Sequence, residues 1–166
     1  KTSPSEFHNL LTNRIMYTSY EEMVVMKTKS LPDEMNQVPL FSGLSKAEIN
    51  SLKRLMTAVS INSGKTIVRE GDVGREFMII LSGTASVSRQ GNKFATLGPG
   101  DFFGEMSLLG KGLRSATVTA ETELLVEALN RREFATMLHK NPEIAEKILA
   151  DAHGRSTQEA SMSEAV

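Results

Sequence analysis

The sequence predicts an α+β fold in which helices lie at both ends of a β-barrel. Three observations lead to this prediction. Between Val59 and Leu129, short runs of β-type residues alternate with glycine turns, and this stretch has room for about eight strands. Before and after it, apolar residues recur at helical spacing. With 166 residues, of which 40% are hydrophobic, the chain has the size of one domain with extensions.

Residues 1–37 are predicted to form an N-terminal helical extension. We interpret it as a packing arm rather than a membrane-surface helix, because it carries few of the Lys and Arg residues that bind lipid headgroups. Its apolar residues at helical spacing are Phe7, Leu10, Leu11, Ile15, Met23, Val24 and Met26.

A more regular helix is predicted from about Lys46 to Thr57. Ser45 and Glu48 have the S-x-x-E spacing of a capping box, in which each side chain accepts a hydrogen bond from the other residue's backbone N–H. The apolar face of this helix consists of Ile49, Leu52, Leu55 and Met56.

The clearest β-type runs follow this helix. Gly91 is predicted to supply the positive φ of a hairpin turn in SRQGNK, and Pro99 presets the angle of a tight turn in LGPGD. The runs are KTIVRE, EFMIILSG, TASVSR, KFATLG, SATVTA and ELLVEAL.

Two further helices are predicted after Asn130. The first has Phe134, Met137 and Leu138 on one face. The second begins with Asn141 as N-cap and Pro142 at the first helical position. Its apolar side consists of Ile144, Ile148 and Leu149. From Gly154 onward the sequence has no periodicity, so residues 154–166 are predicted to form a mobile tail.

The composition excludes several classes of function. A formal net charge of −1 gives no basic surface for nucleic acid. The chain has no cysteine, which excludes disulfides and cysteine-based metal sites and favours a cytoplasmic location. No apolar run approaches the roughly 20 residues that span a bilayer, and no signal peptide is visible, so no membrane partner is predicted.

We predict that the chain is not an enzyme. His8, His139 and His153 fall in helical or terminal segments, so they cannot supply the strand-borne ligands of a metal-dependent barrel enzyme. No nucleophile, base and orienting residue form a set. The stretch GKGLRS also lacks the G-x-x-x-x-G-K-[ST] spacing of a P-loop.

The stretch FFGEMSLLGKGLRSATVTA, residues 102–120, carries the strongest functional signal. After Gly104 there is room for one helical turn whose unpaired N–H groups favour an anion, with Gly110 ending it in a left-handed conformation. If this turn folds over the barrel, Arg114 can reach the same anion, and its planar guanidinium suits phosphate. Glu105 would repel phosphate but can accept a hydrogen bond from a sugar hydroxyl. Arg114 alone would predict a solvated surface side chain, and Glu105 alone an acid at a helix start. Only their combination indicates a ligand with a phosphate and a ribose hydroxyl.

The same stretch strongly resembles the phosphate-binding cassette of cyclic nucleotide-binding domains. The family pattern is close to F-G-E-[LIM]-[AS]-L-[LIM], a short spacer, and P-R-x-A-T-V-x-A. The resemblance extends through VPLFSGLS, REGDVGREFMIILSGTASV and LGPGDFFGE, and through the helices after Asn130, so that it covers residues 38–153. It implies an eight-stranded antiparallel jelly-roll β-barrel, flanked by N-terminal helices and two C-terminal helices, that holds cAMP or cGMP.

The resemblance also implies roles for individual residues. Arg114 matches the arginine on the cyclic phosphate, and Glu105 matches the acid on the ribose 2′-hydroxyl. Leu113 replaces the usual proline before the arginine, which loosens the φ restriction of the loop. The other residues at family ligand positions are Gly104, Ser107 and Ser115, which donate hydrogen bonds around the phosphate and sugar, and Phe103 and Met106, which line the pocket.

The family resemblance favours cAMP over cGMP as the ligand. In this family a Thr directly after the arginine accompanies cGMP preference, an Ala leans to cAMP, and a Ser, as in Ser115, occurs in cAMP-binding bacterial members. The implied mechanism is closure of the C-terminal helices over the ligand. The candidates for the residue that caps the purine are Ile148, Leu149 and Arg155.

Two functional classes are compatible with these features. The first is a ligand-sensing regulatory module whose terminal helices contact an effector domain or another copy of the chain. The alternative is the sensor part of a catabolite-activator-type DNA-binding regulator, which would need a helix-turn-helix after the second C-terminal helix. Since only a short tail follows that helix, no nucleic-acid partner is predicted for the sequence as it stands.

Overall fold

The computed structural model describes residues 23–26, 35–110 and 112–164, and its β-strands form two antiparallel sheets. The first sheet has the strand order β1-β2-β9-β4-β7, and the second has the order β3-β8-β5-β6. The strands are β1 (Met23–Met26), β2 (Thr57–Ile61), β3 (Thr66–Val68), β4 (Glu76–Ser82), β5 (Ala85–Arg89), β6 (Asn92–Leu97), β7 (Phe102–Phe103), β8 (Thr117–Ala120) and β9 (Leu124–Asn130).

The eight strands from β2 to β9 confirm the predicted antiparallel jelly-roll arrangement. The jelly roll is not a closed barrel, because no ladder of hydrogen bonds among the described residues joins the two sheets. The strands are short, and β3 and β7 contain only three and two residues, which leaves too little backbone to continue pairing around a ring. The result is a sandwich in which two sheets face each other across an apolar core.

The core has two parts. One lies between the sheets and includes Val59, Met78, Phe103, Leu124 and Val126, all of which are nearly or fully buried. The other lies between the first sheet and the helices. Its most buried members are Met35, Phe41, Leu52, Phe77, Ile79, Leu129, Met137, Ile144 and Ile148. The helices therefore pack mainly on the first sheet.

The helices are α1 (Lys46–Lys53), α2 (Glu105–Leu109), α3 (Arg131–Lys140) and α4 (Pro142–Glu164), and a short 3-10 helix spans Pro39–Phe41. The predicted capping box of Ser45 and Glu48 is confirmed at the start of α1. This helix ends earlier than predicted, because Thr57 begins β2 and pairs with Ala128. A second capping box, formed by Asn130 and Glu133, starts α3.

The junction between α3 and α4 differs from the prediction in one detail. Pro142 is the first residue of α4, as predicted. The side chain of Asn141, however, donates a hydrogen bond back to the carbonyl of Met137 at 3.0 Å, so its amide caps the end of α3. Lys147 anchors the first half of α4, since its ammonium group donates to carbonyl oxygens of the 3-10 helix region, including that of Ser42 at 3.2 Å.

The structure corrects the prediction at both ends of the chain. Met23, Val24 and Met26 lie in β1 rather than in a helix, because the edge of β2 offers backbone partners to this β-branched segment. The predicted helical residues Phe7, Leu10, Leu11 and Ile15 lie outside the described residues.

At the other end, α4 continues to Glu164, so the prediction that regular structure ends at Gly154 is wrong. The segment after Gly154 contains Ala, Glu, Gln and Met, which propagate a helix that has already begun even without an apolar face. In the part of the chain that the structure covers, no helix is both long and apolar enough to cross a membrane.

Candidate ligand-binding site

A cavity of about 600 Å³ lies between the second sheet, the α2 segment and the C-terminal half of α4. This volume falls within the range of roughly 300–1,000 Å³ that is usual for small-molecule sites. All four strands of the second sheet or their flanks contribute to its wall. The lining residues are Val68, Val87, Phe94, Ala95, Leu97, Phe103, Gly104, Met106, Ser107, Arg114, Ser115, Ala116, Val118, Ala150, Asp151, Gly154 and Arg155.

The structure brings the residues of the predicted site together around this cavity. Six of the seven, all except Glu105, are part of its lining. Glu105 begins α2 and is fully buried directly behind the lining residues Gly104 and Met106. The segment from Phe103 to Ser115 therefore lies around one corner of the cavity.

The chain turn before α2 requires glycine. Gly104 has a φ of 98°, in the left-handed region that side chains disfavour. A Cβ atom at this position would lie 2.4 Å from the carbonyl oxygen of Glu76 and 2.8 Å from Nη1 of Arg114. Gly110, in contrast, has a φ of −114°, so the prediction of a left-handed end to the turn is wrong. Its N–H instead donates to the carbonyl of Met106 and closes the helical turn.

Arg114 is buried at the edge of the cavity and held from several sides. Its Nη1 donates to the carbonyl oxygen of Glu76 at 3.1 Å and to Oγ of Ser107 at 3.0 Å. Its Nη2 forms an ion pair with Oε2 of Glu76 at 3.2 Å. Burial lowers the pKa of Arg114 from its usual value, and the nearby carboxylate of Glu76 opposes this change. The pKa of an arginine lies so far above neutral pH that its guanidinium stays charged. The hydrogen bonds to Glu76 and Ser107 fix the position of this side chain.

The loop that carries Arg114 is also fixed through its backbone. The N–H of Arg114 donates to the carbonyl of Asp72 at 2.7 Å, and its own carbonyl accepts from Gly71 at 2.9 Å. Leu113 forms a β-bridge with Val73. These contacts fix the backbone on both sides of Leu113, the residue that replaces the usual proline.

Glu76 is a site residue that sequence reasoning missed. It is the first residue of β4, and only 6% of it is exposed. The signal in the sequence was an acid at the start of an otherwise apolar strand, EFMIILS. Because a buried carboxylate needs a partner, this pattern could have indicated a cation inside the fold, although not which one.

Glu105 presents two different oxygens to its surroundings. Its Oε1 accepts a hydrogen bond from Nη1 of Arg155 at 2.7 Å. Its Oε2 is buried and has no hydrogen-bond partner among the described residues. Burial raises the pKa of Glu105, and the positive charge of Arg155 opposes this rise. A buried acceptor without a donor costs folding free energy. This oxygen can therefore accept a hydrogen bond from a hydroxyl or N–H group of a ligand.

Arg155 connects α4 to the residues around the cavity. Its Nη2 donates to the carbonyl oxygen of Phe102 at 2.7 Å, and its guanidinium lies over the ring of that residue at 5.3 Å. Its Nε pairs with Asp151, one turn earlier on the same helix, at 2.7 Å. Of the three proposed caps, only Arg155 lines the cavity. Ile148 is buried in the helix-packed core, and Leu149 is 54% exposed.

The two serines of the predicted site hold the cassette as well as lining the cavity. Ser107 donates its hydroxyl hydrogen to the carbonyl of Gly104 at 3.1 Å and accepts from Arg114. The carbonyl of Ser115 accepts a hydrogen bond from Nε of Arg89 at 3.1 Å. Arg89 lies at the end of β5, so the β5–β6 hairpin is tied to the loop that carries Arg114.

Comparison with known proteins gives a consistent result. The sequence pattern of the cyclic nucleotide-binding domain family matches residues 58–141. A cAMP-dependent protein kinase regulatory subunit of Yarrowia lipolytica is 38% identical over 106 residues, which are 63% of this chain and 28% of the relative. The crystal structure of the Thermus thermophilus catabolite activator protein is similar with a TM-score of 0.65 and 32% identity, covering 75% of this chain and 61% of that protein.

A further similar structure, cAMP-bound PfPKA-R, has a TM-score of 0.61 and 29% identity, and the match covers 72% of this chain and 45% of that one. The chain thus spans less than two thirds of each of these proteins.

Proposed function

Because the chain belongs to the cyclic nucleotide-binding domain family, we propose that it is a regulatory module that senses a cyclic nucleotide, with cAMP favoured over cGMP. The ligand occupies the cavity between the second sheet and α4. The module acts by binding, without a catalytic step of its own. Ligand binding is read out by the position of the C-terminal helices.

The observation that carries this proposal is the arrangement of Arg114 and Glu105 in one corner of the cavity. Arg114 supplies a fixed guanidinium for the cyclic phosphate, and the bonds that fix it use Nη1 and Nη2, which leaves Nε as a further donor. The unpartnered Oε2 of Glu105 is an acceptor for the ribose 2′-hydroxyl. A cation and an isolated acceptor side by side match a phosphate and a hydroxyl on one small molecule.

The purine occupies the remaining, largely apolar part of the cavity. Val87, Phe94 and Leu97 of the second sheet offer it apolar surface on one side. Ala150 and Gly154, one turn apart on α4, leave room for a flat ring on the other side. Preference for cAMP is supported by Ser115 after the arginine and by the cAMP-dependent and cAMP-bound proteins to which the chain is similar.

Closure of the site depends on α4. Arg155 joins the helix to Glu105, the same residue whose second oxygen is proposed to bind the ribose. A hydroxyl bound to Oε2 therefore changes the hydrogen bonding of the carboxylate on which α4 docks. A change in the population of docked α4 is the proposed output.

A second candidate function is favoured by the similarity to the Thermus thermophilus catabolite activator protein. On this reading the module is the sensor part of a DNA-binding regulator of that type. The binding site is the same in both cases, so the two functions differ only in the effector that α4 controls. Binding of operator-type duplex DNA by a longer form of the chain would favour the second candidate.

Titration calorimetry and thermal unfolding with cAMP and cGMP test the proposal. At 100 times its dissociation constant, cAMP should add about 2.7 kcal/mol of apparent stability. Arg114→Ala should weaken binding by roughly 1.5–3 kcal/mol, as expected for loss of a charge-assisted contact. Arg131→Gln, an exposed arginine outside the cavity, is the matched control and should bind normally. Failure of both nucleotides to bind or to raise the melting temperature would refute the sensor function.

A further inference from the structure

The hairpin of β5 and β6 contains one extra residue, Phe94. Val87 pairs with Ala95, but the next pair joins Ser88 to Lys93, so Phe94 has no partner in the ladder between these two strands. This is a β-bulge, a feature that redirects a side chain. Successive side chains of a regular strand point to opposite faces of the sheet, yet both Phe94 and Ala95 line the cavity. The bulge therefore adds an aromatic ring to the wall of the cavity.

Arg89 lies beside this ring. It follows Val87 by two residues on β5, so both side chains leave the same face of the sheet, the face that borders the cavity. The guanidinium carbon of Arg89 lies over the Phe94 ring, 6.0 Å from its centre. This distance is at the outer limit of a cation–π contact. Arg89 therefore restricts the positions that the ring can take.

The same side chain is bonded to the loop that carries Arg114. Nε of Arg89 donates a hydrogen bond to the carbonyl oxygen of Ser115 at 3.1 Å. Ser115 directly follows Arg114 in the chain, and both residues line the cavity. Because a guanidinium presents its N–H donors in a planar fork, Arg89 makes the ring contact and the hydrogen bond at the same time.

A tight turn fixes the backbone next to Arg89. Gln90 and Gly91 both have a positive φ, of 51° and 80°, as in the two-residue type I′ turns that join antiparallel strands. The N–H of Gln90 donates to Oε2 of Glu70 at 2.9 Å. Arg89 and Asn92 form the last pair before this turn. The backbone from which the Arg89 side chain projects is therefore held in place.

We infer that Arg89 is a positioning residue for the bound nucleotide. Its guanidinium holds Phe94 as an aromatic wall for the base, and it holds Ser115 beside the arginine for the phosphate. One side chain thus orders both halves of the site before the ligand binds. This role rests on the proposed function, and it extends the site from the segment 103–115 to the β5–β6 hairpin.

Titration calorimetry with cAMP, well below the melting temperature, tests this role. Without Arg89, the ring and the loop have to be ordered when the ligand binds, and this ordering costs affinity. Arg89→Gln should therefore weaken cAMP binding by about threefold to tenfold. Lys93→Gln is the matched control, because Lys93 lies on the same hairpin and forms a surface ion pair with Glu121 outside the cavity. This control should bind cAMP like the parent.

A double-mutant cycle separates this role from a general loss of stability. In a Phe94→Leu background the aromatic ring is absent, so Arg89→Gln should cost less affinity than it does in the parent. The cost that remains measures the bond to Ser115. In the absence of ligand, Arg89→Gln should also accelerate hydrogen exchange in residues 112–116, because their loop has lost a tie to the hairpin.

Arg89→Lys is a second variant that tests the role if Arg89→Gln folds poorly. It keeps a positive charge that can lie over the ring, but it lacks the Nε donor. Its affinity for cAMP should lie between those of Arg89→Gln and the parent, and its exchange in residues 112–116 should be faster than that of the parent.

Three results would overturn the inference while the parent binds cAMP. The first is normal binding by both Arg89→Gln and Arg89→Lys. The second is an equal cost of Arg89→Gln with and without Phe94→Leu, which would show that Arg89 does not act through the ring. The third is an equal loss of affinity in Lys93→Gln. A parent that binds neither cAMP nor cGMP is a different outcome, which refutes the sensor function itself and this role of Arg89 with it.

Discussion

Two pairs of arginine and glutamate border the cavity, and they differ in how they are built. Arg114 and Glu76 are 3.2 Å apart, and their side chains are only 5% and 7% exposed. Arg155 and Glu105 are 2.7 Å apart, with side chains that are 29% and 0% exposed. The first pair joins a loop and a strand within the sandwich, whereas the second joins a terminal helix to the sandwich.

From this difference we predict that the site has a fixed part and a movable part. Arg114 is held by backbone carbonyls and a buried carboxylate, so it cannot move without disturbing β4 and the loop around it. Arg155 is partly exposed and lies on α4, from which it contacts Glu105 and Phe102. Loss of the first pair should therefore weaken the whole fold, and loss of the second should release α4.

The largest effect is expected from Arg114→Ala. Removal of one partner from a buried ion pair typically costs about 3–5 kcal/mol, because the other charge remains buried without compensation. We expect a loss of this size in the free energy of unfolding, measured by urea denaturation, in addition to the weaker ligand binding expected from the lost contact.

The double variant Arg114→Ala/Glu76→Gln is the control for this interpretation. It removes the charge of Glu76 as well, so it should be more stable than Arg114→Ala alone. If the two variants are equally destabilised, the buried carboxylate does not account for the cost, and the description of this pair as a fixed structural element is wrong.

Arg155→Gln should have a smaller and more local effect. We expect a loss of about 1–3 kcal/mol, at the low end because Arg155 is partly exposed and screened by water. Hydrogen exchange should accelerate in the second half of α4 and stay slow in β4 and β9. Arg131→Gln should change neither region. Uniformly faster exchange throughout the chain would remove the distinction between the two pairs.

A pH series tests the unusual environment of Glu105. Its folded pKa is raised from 4.5, chiefly by burial. A raised carboxyl pKa means that the folded state binds this proton more tightly than the unfolded state does. The resulting stabilisation is fully present below pH 4.5 and is lost as the pH rises through the raised pKa.

Glu105→Gln cannot take part in this titration. As the pH falls from neutral to 4.5, the parent should therefore gain free energy of unfolding relative to Glu105→Gln, as measured by urea denaturation at each pH. A constant difference between the two proteins over this range would contradict the raised pKa.

The two pairs also show why part of the site could be predicted from the sequence. Gly104, Glu105, Ser107 and Arg114 lie within one short segment, and local turn geometry brings them together. From their identities and spacing the sequence predicted a phosphate and hydroxyl site, and the structure brings these residues together. The long-range partner of Arg114 could not be predicted in this way, because Glu76 lies 38 residues away and is positioned by the pairing of strands.

The same reasoning explains the errors in the fold. The helical periodicity around Met23 is real in the sequence, but the edge of β2 provides backbone partners that favour a strand. The end of α4 lacks an apolar stripe, and Arg155 docks it through a residue 50 positions away in the sequence. Tertiary contacts of this kind leave no periodic signal within a window of a dozen residues.

The smallest predicted effect compares two glycines that line the cavity on its fixed and movable sides. Gly154 lies inside α4, and a Cβ atom there would meet nothing within 4 Å. Since Ala is favoured over Gly by about 0.5–1 kcal/mol inside a helix, Gly154→Ala should stabilise α4 by this amount and slow its hydrogen exchange. Gly104→Ala should have the opposite sign, because it combines a left-handed φ with an overlap against the carbonyl of Glu76. If Gly154→Ala also destabilises the protein, the second half of α4 is packed more tightly than the structure shows, and it would then belong to the fixed part of the site.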